Sequence, residues 1–129
     1  MRLQHLTPML RTTDLKGSVE FYTTVLGFTC DGSSDDWGWA SVKRDDVCIM
    51  FALPDAHEPF AGPVFTGSLY IHASDVDVLW ERLKDVVRVC YPIEDFEYGM
   101  REFGIYDNNG YLLQFGQDWP EALQAVEIA

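Results

Sequence analysis

The sequence predicts an α+β fold built from two tandem βαβββ modules within one 129-residue chain. Three observations predict it. Short β-branched and apolar runs alternate with clusters of turn residues. Two stretches at helical spacing each follow an aspartate suited to an N-cap. The order of these elements then repeats along the chain.

The first strand is read over Leu3 to Thr12, where apolar and β-branched residues dominate. Asp14 supplies a cap oxygen, and Leu15, Val19, Tyr22 and Leu26 follow on one helical face. Gly17 weakens this helix locally, and Gly27 suits its C-terminal stop. Three strands come next, at Phe28 to Cys30, Trp37 to Lys43 and Val47 to Leu53. The stretches Asp31 to Asp36 and Arg44 to Asp46 separate them as turns. Module one therefore covers about residues 3–53. A linker with three prolines occupies 54–66 and holds His57, which is expected to be solvated.

Module two covers about residues 67–117. Ser68 to Ala73 reads as a strand, Asp75 as a cap, and Val76, Leu79, Trp80, Leu83 and Val87 as one helical face. Val87 to Tyr91, Arg101 to Tyr106 and Tyr111 to Phe115 read as three further strands. Asp107-Asn108-Asn109-Gly110 is a strong hairpin signal. A tail, 118–129, is read as either a short helix or a cover for the site. At a shift of 61, Thr13-Asp14-Leu15 falls on Ser74-Asp75-Val76 and Tyr22 on Leu83. At a shift of 64, Cys48 to Ala52 falls on Leu112 to Gly116. Phe21 and Trp80 are expected to be core.

Composition narrows the function classes. Apolar residues make up 47% and charged residues 23%, which suits a packed core. No run approaches the ~20 apolar residues of a membrane helix, and no secretory leader is visible. Cys30, Cys48 and Cys90 are widely spaced and odd in number, which suggests reduced thiols and a cytoplasmic setting. The net charge of −12, from 21 acidic against 9 basic residues, argues against nucleic acid and is compatible with a cationic ligand. No nucleophile motif, phosphate loop or dinucleotide fingerprint is present.

Several stretches resemble the vicinal-oxygen-chelate (glyoxalase/bleomycin resistance/dioxygenase) superfamily. They are Thr7 to Leu15, Ser18 to Tyr22 and Leu26-Gly27-Phe28, then Tyr98-Gly99-Met100-Arg101-Glu102-Phe103 and Asp107 to Gly116. The resemblance covers about residues 3 to 117. It implies curled mixed sheets that each enclose a concave face, with paired helices outside and a homodimer as the expected state.

The resemblance also marks four positions where metal-dependent members place imidazole or carboxylate ligands. Here they are Thr7, Met50, Ser68 and Gln114. None brings charge to offset a dication, so the metal site is expected to be lost and no cofactor is expected. His5 and His72 are the weak metal candidates, His5 sharing a strand face with Thr7. His72 is also a weak candidate for a general base.

The expected function is metal-free capture of a planar or cationic organic molecule, of the antibiotic-sequestering kind. Bleomycin itself is not implied, because the tryptophan of the resistance motif is Tyr98 here. The expected ligand-binding residues are Trp37, Trp39, Met50, Ser68, Tyr70, His72, Tyr98, Arg101, Glu102 and Gln114. Trp37 and Trp39 are taken to share one strand face, with Asp35 and Asp36 close by, as Glu94, Asp95 and Glu97 are to Tyr98. The alternatives are a metal-dependent lyase, isomerase or dioxygenase, and metal-free acid–base catalysis by His72.

Overall fold

A computed structural model describes residues 1–57 and 59–118, so most of the tail lies outside the described residues. The chain forms two compact units that meet in sequence at Val64 and Phe65.

The first unit contains β1 (Met9–Arg11), α1 (Leu15–Glu20), β2 (Thr29–Ser34), β3 (Trp39–Arg44) and β4 (Val47–Ala52). Its strand order is β1-β4-β3-β2. The β1–β4 pair is parallel and the others are antiparallel. The second unit repeats this with β5 (Leu69–His72), α2 (Val76–Leu83), β6 (Arg88–Phe96), β7 (Met100–Tyr106) and β8 (Leu112–Asp118). Its order is β5-β8-β7-β6, again with the outer β5–β8 pair parallel. The two shifts found in the sequence carry the pair Met9↔Met50 of one sheet onto Tyr70↔Gln114 of the other. The βαβββ repeat therefore extends to strand register.

Local chemistry fixes the elements. The Asp14 carboxylate accepts from Gly17 N at 2.9 Å and caps α1. A Cβ at Gly17 would come within 2.1 Å of that carboxylate, which explains a glycine inside the first helical turn. After Glu20 the helix widens into a π turn over Phe21–Val25. Gly27, at φ +75°, ends it, and Arg44 Nη1 donates to the terminal Leu26 carbonyl at 2.7 Å. The Asp107 carboxylate accepts from Asn109, Gly110 and Tyr111 N–H groups at 2.9–3.0 Å, closing the β7–β8 turn.

Each core lies between a helix and one sheet face. In the first unit Tyr22 is fully buried, its ring edge-on to Phe28 at 5.5 Å and Phe51 at 4.9 Å. In the second, Val76 and Leu83 of α2 are buried with Phe103, Ile105, Leu113 and Phe115. Phe103 stacks on Phe115 at 5.3 Å.

Several expectations need correction. The turn read over Asp31 to Asp36 shrinks to its end, because β2 runs on to Ser34, which pairs with Trp39. The first strand begins at Met9, not Leu3, because pairing with β4 starts just past Pro8, whose carbonyl accepts from Met50 N at 2.9 Å. His5 is therefore exposed and precedes the strand, so it shares no strand face with Thr7. The helix of module two stops at Leu83, and Val87 N turns back onto the Leu83 carbonyl. Trp37 lies in the β2–β3 turn, 85% exposed, and so does not share a strand face with Trp39. The three cysteines are free thiols, and no described helix is long and apolar enough to cross a membrane.

Candidate functional site

Alternation along the strands of the second unit divides its residues between two faces. Phe103, Ile105, Leu113 and Phe115 face α2. Their neighbours point the other way, onto an open face where Tyr70 is paired with Gln114, Glu102 with Gly116, and both Gln114 and Tyr91 with Gly104.

Two glycines shape this face. A Cβ at Gly104 would lie 2.4 Å from Cε1 of Tyr91, and one at Gly116 would lie 1.9 Å from the Tyr70 hydroxyl. Each glycine lets a tyrosine side chain come down onto the sheet.

At the centre sits Glu102, 1% exposed. Its Oε2 accepts from the Tyr91 hydroxyl at 2.5 Å and from Gln114 Nε2 at 3.4 Å. Its Oε1 accepts from the Tyr98 hydroxyl. Gln114 Nε2 also donates to Tyr91 Oη at 2.8 Å, and Ser68 Oγ donates to Gln114 Oε1. Tyr98 reaches back from the tip of the β6–β7 hairpin, where Gly99 takes φ +89° and Gly99 N donates to Phe96 O at 3.0 Å. Its ring stacks parallel to Phe96 at 5.4 Å.

Burial, and after it the hydrogen bond to Glu102, pushes the Tyr98 hydroxyl up to about 12 and Tyr91 higher still. Burial, then the charge of Glu102 and hydrogen bonding to it, also raises Tyr70. These hydroxyls stay protonated at neutral pH and serve as donors. Among the described residues no cation pairs with Glu102: its partners are all neutral. A buried anion held by neutral donors is an acceptor-rich, negatively charged floor.

Of the residues expected from sequence, Ser68, Tyr70, His72, Tyr98, Glu102 and Gln114 share this open face. His72 is exposed, its ring 5.2 Å from Tyr70. Trp39 and Met50 meet in the first unit, where the indole N–H points to Met50 Sδ at 3.3 Å and the ring lies against Gly32. Trp37 stands apart in its turn. Arg101 lies on the opposite face of β7, bound to Asp77 of α2 at 2.8 Å and to Asp95 at 3.0 Å. Sequence reasoning missed Tyr91. The signal was present in Gly104, a glycine between two apolar strand residues, which marks a close approach.

The four positions at which the superfamily places metal ligands do not fit a divalent ion. Thr7, Met50, Ser68 and Gln114 carry no imidazole and no carboxylate. Met50 already takes the Trp39 N–H, and the amide of Gln114 is engaged by Ser68, Tyr91 and Glu102. Among the described residues no group of three or more His, Cys, Asp or Glu side chains is placed to hold a metal.

The fold is shared with solved structures. TnmS3, an antibiotic binding protein from Streptomyces sp. CB03234, superposes with a TM-score of 0.74 at 21% identity, over 92% of this chain and 98% of that one. TioX from Micromonospora sp. ML1 gives 0.71 at 21% identity, over 89% and 98%. A lactoylglutathione lyase from Agrobacterium tumefaciens gives 0.70 at 21% identity, over 88% and 92%. At these identities the likeness concerns fold alone. No curated protein sequence matches the chain. The model of the Glyoxalase/Bleomycin resistance protein/Dioxygenase superfamily spans residues 2–115, from before β1 into β8, and the chain belongs to that superfamily.

Proposed function

We propose that this protein binds a planar or cationic organic molecule, without a metal ion, on the open face of its second sheet. The observation that carries this reading is Glu102, a buried carboxylate whose partners among the described residues are all neutral. Burying an unpaired charge is costly, and a cationic guest offsets that cost. Tyr70 and Tyr98, 37% and 66% exposed, offer aromatic area beside it. The overall charge of −12 favours approach of a cation. TnmS3, an antibiotic binding protein, shows that this fold can capture a guest, and the lactoylglutathione lyase shows that it can also carry a reaction, so the choice of binding rests on Glu102.

The test is thermal-shift screening of a panel of cationic aromatic compounds against the wild type and Glu102→Gln, with elemental analysis of protein purified without chelator. Stabilisation of the wild type that is lost in the variant, with substoichiometric metal, is the expected result. No stabilisation by any compound would overturn the binding reading. Stoichiometric Ni, Zn, Fe or Mn would return the protein to the metal-dependent lyases, isomerases or dioxygenases. Turnover lost in His72→Ala with binding intact would favour acid–base catalysis instead.

A further inference from the structure

Resting on the reading of this open face as the binding surface, we infer that Glu102 selects a guest nitrogen that still carries a proton, an ammonium or amidinium N–H. In the free protein the Tyr98 hydroxyl holds that guest's place.

The two oxygens of Glu102 are held in different ways. Oε2 is gripped from the sheet by Tyr91 and Gln114. Tyr91 is half-buried against Gly104, and Gln114 is itself tied to Ser68. Oε1 is met by Tyr98, whose side chain is 66% exposed on a three-residue hairpin tip and rests on Phe96. Of these donors, Tyr98 is the one that can turn to water without unpacking the sheet, and the Tyr70 hydroxyl, which also interacts with Glu102, is exposed enough to move with it. Water then satisfies the Tyr98 hydroxyl, and Oε1 opens.

Whatever replaces Tyr98 must itself donate. A carboxylate oxygen that loses a charge-assisted hydrogen bond and receives none is left buried and unsatisfied. An N–H cation supplies both the bond and the countercharge. A quaternary ammonium supplies only charge and depends on ring faces for the rest. Here the hydroxyl ends of Tyr91 and Tyr98 converge on Glu102, so the guest's cationic end meets O–H groups and a carboxylate. An anionic guest meets a like charge.

The experiment measures binding of naphthylmethylammonium, its trimethylammonium analogue and the neutral alcohol to the full chain. Titration calorimetry gives affinities, and backbone chemical shifts map the location. The ammonium is expected to bind roughly tenfold or more tighter than the quaternary analogue. Tyr98→Phe, which frees Oε1 at an exposed position, is expected to raise ammonium affinity. Glu102→Gln is expected to erase the difference between the two cations. Equal or tighter binding of the quaternary analogue, or weaker ammonium binding in a folded Tyr98→Phe, would overturn the inference. If the probes perturb β7 and β8 with no N–H preference, the inference falls and the binding reading stands. If no probe binds, or all perturb other residues, both fall.

Discussion

Arg101 and Glu102 are adjacent, oppositely charged, and turned to opposite faces of β7. The guanidinium reaches Asp77 on α2 at 2.8 Å and Asp95 on β6 at 3.0 Å. The carboxylate faces tyrosines on the open side. Strand alternation thus keeps the nearest cation in sequence from neutralising Glu102. Because Arg101 ties α2 to the sheet, Arg101→Gln should cost about 0.5–1 kcal/mol, the ordinary value of an exposed ion pair. The hydrogen bond from Arg101 holds the Asp77 carboxyl below its usual 3.8. That stability is present above pH 3.8 and is lost as pH falls through the depressed value. Urea midpoints of wild type and variant should therefore differ at neutral pH and converge in strong acid, while guest affinity stays unchanged.

The tyrosines give the opposite pH dependence. Tyr98 is raised from 10.0 to about 12 and Tyr91 further. A raised value means that the folded state favours the protonated phenol. The contribution is full below pH 10 and is lost as pH rises through the folded values. Stability should fall at alkaline pH, with tyrosinate absorbance rising in the same window. Tyr91→Phe should flatten this dependence more than Tyr98→Phe, because the exposed Tyr98 is partly screened by solvent.

Two glycine substitutions should separate stability from binding. Gly104→Ala places a methyl 2.4 Å from a ring carbon of Tyr91, which is held at its hydroxyl by Glu102 and Gln114. The cost should be about 1–3 kcal/mol, as for overpacking elsewhere. Gly116→Ala meets the far end of Tyr70, which is exposed enough to swing aside. It should leave the thermal midpoint nearly unchanged yet weaken guest binding by displacing Tyr70. Calorimetry on both variants checks the contrast.

Much of this architecture was readable from residue patterns, and the gaps have physical causes. The shifts of 61 and 64 located both modules, because helix caps and core positions such as Tyr22 and Leu83 repeat with the fold. The parity of Ser68, Tyr70 and His72 was legible because β5 is regular. Tyr91 was not, because β6 slips register on both sides of it and Pro92 follows, so simple alternation fails there. Trp37 looked like a strand residue, but the turn before β3 takes it out to solvent. Arg101 was grouped with Glu102 because they are neighbours in a motif, and alternation places neighbours on opposite sides.

The aromatic core of the second unit gives a last prediction that reverses the sequence-based expectation. Trp80 on α2 and Phe21 in the first unit looked the surest core residues, yet both are only half-buried, the Trp80 ring lying 5.1 Å from Phe103. Phe103 is fully buried between Trp80 and Phe115. Phe103→Ala should leave a cavity under β7 and cost about 3–5 kcal/mol. Trp80→Ala removes the larger side chain but leaves a site that solvent can partly fill, so its cost should be smaller. Urea denaturation of the two variants tests the order. Because Phe103 immediately follows Glu102 on β7, its truncation should also loosen the carboxylate and weaken guest binding, whereas Trp80→Ala should spare it.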